Sequence, residues 1–169
     1  MLTTIIDYGA GNLRSVQNTL DELSAEYIVT NERDVVDRAV KLVLPGVGHF
    51  GQMISALDAL DLRQSILGRI RAGIPFLGIC LGLQALFERS EESPDQKGLG
   101  VFAGDVLRFT GNVRIPHMGW NSLEPTRPGR LLEGLPPESY AYFAHSFYAP
   151  AGSYTAITST YVQPFTAAI

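Results

Sequence analysis

The first half of the chain alternates short apolar runs with amphipathic segments. Four runs have the length of strands, and they are residues 2–6, 26–29, 41–45 and 75–79. After the first of them, Leu13, Val16, Leu20 and Leu23 recur at helical spacing. Near-continuous apolar strands that alternate with amphipathic helices are typical of a parallel sheet covered on both faces. The pattern predicts an α/β fold for this half.

Two further helices are predicted from the same periodicity. One begins near Met53 and continues, with a break, to Ile70, and the other covers residues 81–90, LGLQALFERS. From residue 90 the pattern changes: residues 90–100 are polar and are expected to form a solvated loop. The strand-like pieces beyond that loop are separated by prolines, and they are 106–109, 118–123, 139–149 and 154–162. We therefore expect one domain over residues 1–169, with an α/β front and a β-rich back.

Composition and charge narrow the class of protein and its cellular location. Apolar residues make up 46% of the 169, which is a globular value. A net charge of −4 argues against non-specific nucleic-acid binding, which needs a basic surface. The longest apolar stretch, 74–87, is too short for a bilayer and is interrupted by glycines, so no membrane segment is expected. A single cysteine excludes an internal disulfide, and a reducing cytoplasm is the simplest location.

Three glycine-containing loops follow predicted strands: DYGAGN (7–12), PGVGHF (45–50) and GICLG (78–82). The working residues of parallel α/β sheets lie in loops at the carboxyl ends of the strands, so these loops are expected to converge on one rim. The first loop is not a dinucleotide fingerprint, because Arg14 stands where the third glycine would be. Nucleotide binding is therefore not expected.

Cys80 stands between Gly78 and Gly82, after a predicted strand and before a predicted helix. This order is typical of a nucleophile elbow, a turn so tight that only glycines fit around the exposed nucleophile. The helix N-terminus is expected to lower the pKa of the thiol, and the N–H of Leu81 can face a developing oxyanion. The alternative is an ordinary buried cysteine.

The PGVG loop could supply a second oxyanion donor, since Gly46 and Gly48 allow its backbone to turn an N–H inward. The alternative is a simple tight turn. A base for the cysteine is harder to find. The chain has three histidines, His49, His117 and His145, and none has a convincing orienting acid nearby in sequence. From the residues alone the catalytic dyad is incomplete.

The glycine-bracketed cysteine together with the PGVG loop resembles the class I, triad-type glutamine amidotransferases. The motifs DYGAGNLRS, LPGVGHF, PFLGICLGLQALF, PHMGWN and YFAHSF, in this order, look like the glutamine amidotransferase subunits of imidazole glycerol phosphate synthase in histidine biosynthesis. The likeness covers essentially the whole chain. It implies a flavodoxin-like three-layer fold with a mostly parallel central sheet.

The resemblance also implies roles for residues. Cys80 would attack the side-chain amide of glutamine, release ammonia and leave a thioester that water hydrolyses to glutamate. The oxyanion donors would be the backbone at Leu81 and, after a peptide rotation, at Val47. His145 then belongs to a substrate-pocket motif and is not the base. The positions implied to hold glutamine are Gly46, Gly48, Gln84 and the backbone of Ser146 and Phe147, the last where a tyrosine is expected. No metal and no cofactor are implied.

The implied partner is a (β/α)8 cyclase subunit that receives ammonia through its barrel and makes imidazole glycerol phosphate and AICAR. Asn12 and Trp120 match positions near that interface. For Trp120 the alternative is a core aromatic residue.

One departure from the family pattern affects catalysis. The family's histidine and glutamate lie in a His-Pro-Glu motif after the final strands, and this sequence stops at TYVQPFTAAI. No residue is assigned to either role, so the domain is expected to be incomplete at its C-terminus, with an uncovered sheet edge and little turnover by residues 1–169 alone.

Three alternative functions stay open: an amidotransferase subunit of a pyridoxal phosphate or purine pathway, a non-catalytic scaffold with the same fold, and a cysteine-elbow stress protein. DYGAGN and PHMGWN argue against the first. The last usually has a glutamate close to the cysteine on a neighbouring strand, and the sequence has no clear counterpart.

Overall fold

The computed structural model describes residues 1–136 and 138–169. They form two compact units, Met1–Gly104 and Asp105–Ile169. Each unit has a cluster of buried apolar side chains of its own.

The first unit contains a parallel sheet of four strands in the order β2-β1-β3-β4. The strands are β1 (Thr3–Ile6), β2 (Tyr27–Thr30), β3 (Leu42–Gly46) and β4 (Phe76–Cys80). Each lies within one residue of a predicted apolar run at both ends. Because the strands are parallel, the loops after β1, β3 and β4 leave the same edge of the sheet. The predicted parallel sheet is confirmed.

Helices connect these strands. They are α1 (Leu13–Glu22), α2 (Arg33–Asp37), α3 (Phe50–Ala59), α4 (Arg63–Arg71) and α5 (Leu81–Gln84). The break expected between Met53 and Ile70 lies between α3 and α4, where Asp61 has a positive φ of 56°. The sequence pattern did not predict α2, which has only five residues and buries Val36 alone.

The helix predicted over 81–90 is wrong in its second half. The structure ends α5 at Gln84 and places a strand, β5 (Phe87–Ser90), after it. The carbonyl of Ala85 accepts from the N–H of Leu99, and that of Phe87 from the N–H of Gly100. These carbonyls are bonded to a distant segment, so they cannot continue the helical ladder.

The core of the first unit joins the sheet to α3. Ile6 and Leu44 from the strands and Phe50, Met53 and Leu57 from the helix are fully buried in one cluster. The edge of the sheet at β4 is less well covered. β4 is the last strand in the order, and its Leu77 and Ile79 are 43% and 37% exposed. Within the described residues β4 is therefore an edge strand with apolar side chains in solvent.

The second unit is β-rich, as the sequence predicts, and its paired strands are antiparallel. Its strands are the end of β6 (Phe102–Arg108), β7 (His117–Ser122), β8 (Glu124–Pro125), β9 (Tyr140–His145), β10 (Phe147–Tyr148), β11 (Ile157–Thr160) and β12 (Pro164–Ala168). β7 pairs with β9, β10 with β6, and β11 with both β8 and β12. The strand predicted over 154–162 is β11, and it turns back into β12. Phe109, Tyr148 and Phe165 form the buried core.

Over the described part of the chain, no helix combines the length and the apolar character that a bilayer crossing requires.

Candidate active site

Cys80 occupies a strained backbone position at the end of β4. Its φ is 56° and its ψ is −111°, in a region that residues with a side chain rarely adopt. α5 begins at the next residue, Leu81, and the cysteine is exposed. Strand, strained residue and helix follow one another as in a nucleophile elbow, and the alternative of a buried cysteine is excluded.

The glycines around Cys80 are needed because three backbone segments touch. A Cβ atom on Gly78 would lie 2.5 Å from the carbonyl oxygen of Gly82, and one on Gly46 would lie 2.6 Å from the nitrogen of Gly82. A Cβ on Gly82 would collide with the carbonyl oxygen of Leu44. The Gly-x-Cys-x-Gly frame and the PGVG loop are therefore fitted against each other without room for side chains.

The pKa of the Cys80 thiol is raised, which corrects the expectation from the sequence. Desolvation by the surrounding protein is the largest cause, and it acts on the sulfur although the residue is exposed. The N–H of Leu81 opposes it by hydrogen bonding to the sulfur, and the negative charge of Glu92 adds to it. Desolvation outweighs the hydrogen bond from Leu81, so the thiol is expected to need a base to react at neutral pH.

The two expected oxyanion donors differ in orientation. The N–H of Leu81 already points to the Cys80 sulfur. The N–H of Val47 instead donates to the hydroxyl oxygen of Tyr8, at 3.4 Å. Gly48, the next residue, has φ of 96°, a conformation that glycine adopts without strain. A turn of the Val47 peptide would be needed before its N–H could serve an oxyanion beside Leu81.

Tyr8 is a site residue that the sequence analysis missed. It is buried, and its hydroxyl accepts from the N–H of Val47. Burial raises the pKa of Tyr8, and the charge of Cys80 raises it further. The only signal in the sequence was its place in DYGAGN, directly after the strand that neighbours β3.

Glu92 is a second missed residue. Its Oε2 accepts the N–H of Phe50 at 2.7 Å, at the start of α3, and its charge acts on the Cys80 thiol. In the sequence it belongs to the polar run 90–100, which was interpreted as a solvated loop. An acidic residue held by a helix N-terminus cannot be distinguished from a surface residue by pattern alone.

The three imidazoles are engaged elsewhere. Nδ1 of His49 accepts the N–H of Gly51 at 3.2 Å. His117 and His145 contact each other in the second unit, with their ring nitrogens 3.0 Å apart. The structure therefore does not assign any of the three as the base of Cys80.

The other predicted residues divide between the two units. Gly46, Gly48 and Gln84, which is buried in α5, lie in the first unit with Cys80. Asn12 is there as well, and its side chain caps α1 by accepting from the N–H of Ser15 at 3.2 Å.

The remaining three lie in the second unit. Ser146 and Phe147 form the junction of β9 and β10, where the carbonyl of Ser146 accepts from the N–H of Phe109 at 3.0 Å. Trp120 is 69% exposed on β7, with its ring 5.7 Å from that of Tyr142. The alternative that Trp120 is a core residue is excluded.

Parallel sheet, elbow and glycine-lined rim define an α/β protein with an exposed cysteine on a tight strand-to-helix turn. The model of the family "Glutamine amidotransferase class-I" matches residues 4–162. The chain therefore belongs to the class-I glutamine amidotransferase family.

Comparison with curated proteins refines this. The chain is 45% identical over 169 residues to the imidazole glycerol phosphate synthase subunit HisH of Methanothermobacter thermautotrophicus, covering 99% of this chain and 84% of the relative. It is 44% identical to the HisH subunit of Desulfitobacterium hafniense strain Y51, covering 98% and 79%. It is 47% identical to that of Aquifex aeolicus over 148 residues, covering 87% and 72%. Within the family, the chain groups with the HisH subunits.

Solved structures share the fold at lower identity. A crystal structure of a glutamine amidotransferase superposes with a TM-score of 0.71 at 19% identity, covering 91% of this chain and 78% of that one. PurLQS from Thermotoga maritima gives 0.69 at 18%, covering 98% and 76%. These likenesses concern the fold alone, and they agree with the predicted α/β class.

Proposed function

We propose that this chain is the glutaminase subunit of an imidazole glycerol phosphate synthase, which hydrolyses glutamine and passes ammonia to a cyclase subunit. The observation that supports the proposal most directly is the backbone conformation of Cys80. It exposes the cysteine at the edge of the parallel sheet from which the glycine-containing loops leave. Relatives named as subunits of this synthase, at about 45% identity over nearly the whole chain, support the assignment of the reaction.

The chemistry follows from the site. The thiolate of Cys80 attacks the carboxamide carbon of glutamine, and the tetrahedral oxyanion is held by the N–H of Leu81 and by that of Val47 once it leaves Tyr8. The amide nitrogen takes up the proton that the thiol gave up and leaves as ammonia, and a thioester remains. Water then attacks the thioester, so that glutamate leaves and the thiol is restored.

Glu92 is proposed to bind the substrate's α-ammonium group. Glutamine enters as a zwitterion, and its positive charge needs an anionic partner at a fixed distance from the reacting amide. The carboxylate of Glu92 acts on the Cys80 thiol electrostatically and is held in place by the N–H of Phe50. Gly46, Gly48, Gln84, Ser146 and Phe147 are proposed to complete the glutamine site.

The exposed face of β7 and β9 is proposed to bind the (β/α)8 cyclase. Four large side chains on these strands are more than half exposed: Met118, Trp120, Tyr140 and Tyr142. Exposed aromatic residues grouped on one face are enriched in protein interfaces. Asn12 is proposed to lie at the edge of the same complex. We propose no nucleic-acid or membrane partner, and a cytoplasmic location.

The proposal is tested by complementation. A strain that lacks its own glutaminase subunit should grow without histidine when it carries the gene of this protein. A Cys80→Ala variant should fail at low ammonium and recover partly in excess ammonium, because a cyclase can use free ammonia. If Cys80→Ala complements as well as the wild type at low ammonium, the scaffold function replaces the glutaminase.

A direct test uses the protein from its native source and an electrophilic glutamine analogue. We expect a single adduct on Cys80 that excess glutamine prevents. For residues 1–169 alone we expect little turnover, since each of the three imidazoles is hydrogen-bonded to a group other than the thiol. Loss of a general base lowers a rate by about 10²- to 10⁴-fold.

A further inference from the structure

Two histidines of the second unit lie side by side on facing strands. His117 on β7 is directly opposite His145 on β9 in the antiparallel register, and Nδ1 of His117 is 3.0 Å from Nε2 of His145. His117 is only 3% exposed. These two residues, called the imidazole pair below, have no part in the proposed reaction at Cys80.

Each ring also has an outer partner, and both partners are hydrogen-bond acceptors. Nδ1 of His145 is 2.9 Å from the carbonyl oxygen of Phe147, and Nε2 of His117 is 3.0 Å from Oδ1 of Asn121. The amide of Asn121 cannot be turned over, because its Nδ2 donates to the carbonyl of Thr160 at 2.5 Å. A 180° flip of either imidazole ring would put carbon atoms at the two positions where its nitrogens now contact their partners.

The proton count of this chain of contacts is unusual. The two outer bonds each require an N–H from an imidazole, and the inner contact requires one more. The arrangement therefore needs three protons, whereas two neutral imidazoles carry two. In any neutral state one of the three contacts joins two lone pairs, which is unfavourable in a buried position.

The surroundings suit a shared cation. The ring of Tyr161 stacks on His117 at 4.0 Å and 17°, and that of Phe143 at 5.7 Å and 20°. Aromatic faces attract a cation placed over them. The hydroxyl of Tyr161 donates to the carbonyl of Arg114 and so is directed away from the pair.

Other ionisable side chains on adjoining strands include Arg108 on β6, which is opposite Phe147 in the register, and Tyr148 on β10. Tyr140 and Tyr142 on β9 are also ionisable, and both are more than half exposed. Burial lowers the pKa of His145, and the charge of His117 lowers it further, against the hydrogen bond to Phe147. Nε2 of His145 is therefore the less favourable place for the inner proton, and we place that proton on Nδ1 of His117.

We propose that the imidazole pair binds one extra proton and that this proton fixes the junction of β9 and β10 at Ser146 and Phe147. The functional part rests on the proposed function, in which that junction holds glutamine. When rising pH removes the proton, one of the three bonds is lost and the carbonyl of Phe147 is held less firmly. Glutamine binding then weakens, while the chemistry of Cys80 is unchanged by the pair.

The proton count can be measured without any activity. In a ¹⁵N-labelled sample the chain has only three imidazoles, so each side-chain nitrogen can be assigned by NMR. On the acid side of the titration we expect protons on both nitrogens of His117 and on Nδ1 of His145, with a coupling between His117 Nδ1 and His145 Nε2 across the hydrogen bond. His49, whose Nδ1 accepts from Gly51, is the internal reference. A pair that keeps two protons at every pH where the chain is folded would overturn the proposal.

Two variants at Asn121 distinguish an effect of the extra proton from an effect of packing alone. Asn121→Leu removes the outer acceptor of His117, so a neutral pair becomes satisfied and its apparent pKa should fall. Asn121→Asp places an anion there, and the apparent pKa should rise, each by about one pH unit. Both variants lose the bond to Thr160, so a purely structural effect would move the two in the same direction and would contradict the proposal.

The functional part is tested on the native protein with the electrophilic glutamine analogue. With rising pH, the concentration of analogue needed for half-maximal labelling of Cys80 should increase at least about threefold as the imidazole pair loses its proton. The maximal rate of labelling should not change at the pH where the pair loses its proton. In Asn121→Asp this increase should move to higher pH. An unchanged midpoint refutes the link to glutamine. Complete lack of labelling contradicts the proposed function, whereas the NMR result still decides the proton site.

Discussion

At the scale of single residues, Glu92 has one effect on the Cys80 thiol and one proposed effect on substrate binding, and the two can be separated. Its charge raises the pKa of the thiol, and it is also proposed to bind the ammonium group of glutamine. In Glu92→Gln the thiol pKa should fall, so labelling by neutral iodoacetamide at neutral pH should become about two- to tenfold faster. Labelling by the glutamine analogue, which carries an ammonium group, should become slower. Both rates are measured by intact mass.

Glu91→Gln is the matched control, since it removes the neighbouring exposed carboxylate and leaves Glu92 in place. Both labelling rates should stay near those of the wild type. If Glu92→Gln moves both rates in the same direction, Glu92 affects only the thiol and does not bind substrate.

Trp120 belongs to this scale as well, because a single exposed side chain is proposed to bind the partner. Trp120→Glu should weaken binding of the cyclase subunit by at least about tenfold, because aromatic residues often dominate interface energies and a buried unpaired charge is costly. Binding is measured by calorimetry with the purified cyclase. Leu131→Glu, at another exposed apolar residue of the second unit, is the control and should bind normally. Equal loss in both variants would argue against the β7–β9 face.

At the scale of elements, the elbow depends on contact between backbones. Gly82→Ala places a methyl group against the carbonyl of Leu44, so we expect the free energy of unfolding to fall by about 2–4 kcal/mol. Gly68→Ala lies inside α4 with open space around it, and it should raise the free energy of unfolding by about 0.5–1 kcal/mol. Urea unfolding of both variants gives the comparison. A Gly82→Ala protein as stable as the wild type would show that the loops are not fitted as described.

Arg63 connects α4 to α3 and to the loop at residues 97–98 in the first unit. Its guanidinium donates to both carboxylate oxygens of Asp58, at 2.6 and 2.9 Å, and to the carbonyls of Lys97 and Gly98. Arg63→Lys cannot make this set of bonds, and the free energy of unfolding should fall by about 1–2 kcal/mol. Arg71→Lys, in the same helix and exposed, should change little.

The loss of unfolding free energy in Arg63→Lys should depend on pH. The hydrogen bond to Arg63 is the main cause that lowers the pKa of Asp58. A group with a lowered folded pKa contributes stability above its unfolded pKa, and that contribution is lost as pH falls through the folded value. The difference between wild type and Arg63→Lys should therefore narrow in acid, as followed by unfolding at several pH values. A constant difference would assign the effect to the carbonyl bonds alone.

Local pattern explains why the elements were only partly predictable. The four strands of the first sheet follow apolar runs, and the sequence gives their positions within one residue. The segment 81–90 also has helical periodicity, yet its carbonyls bond to residues 98–102, which pattern cannot reveal. The same limit applies to the site. Cys80 and its glycines are local in sequence, whereas Tyr8 and Glu92 reach the thiol from loops 72 residues before and 12 residues after it.

At the scale of the whole molecule, the two compact units carry different parts of the proposed activity. The first unit, Met1–Gly104, holds the proposed nucleophile, the proposed oxyanion donors and Glu92. The second, Asp105–Ile169, holds Ser146, Phe147 and the exposed face around Trp120. The proposed reaction at Cys80 and the proposed partner face around Trp120 thus lie in different parts of the sequence. Variants at Trp120 should accordingly leave the labelling of Cys80 by iodoacetamide unchanged.

The backbone at Cys80 has a consequence for sequence change over time. A side chain at φ 56° and ψ −111° costs about 1–3 kcal/mol, and glycine avoids most of that cost. Cys80→Gly should therefore melt at a higher temperature than the wild type while losing all reaction with glutamine. A lineage released from selection for glutamine hydrolysis would gain stability by replacing this cysteine with glycine. Persistence of cysteine at this position among otherwise divergent descendants would then itself record continuous use of the thiol.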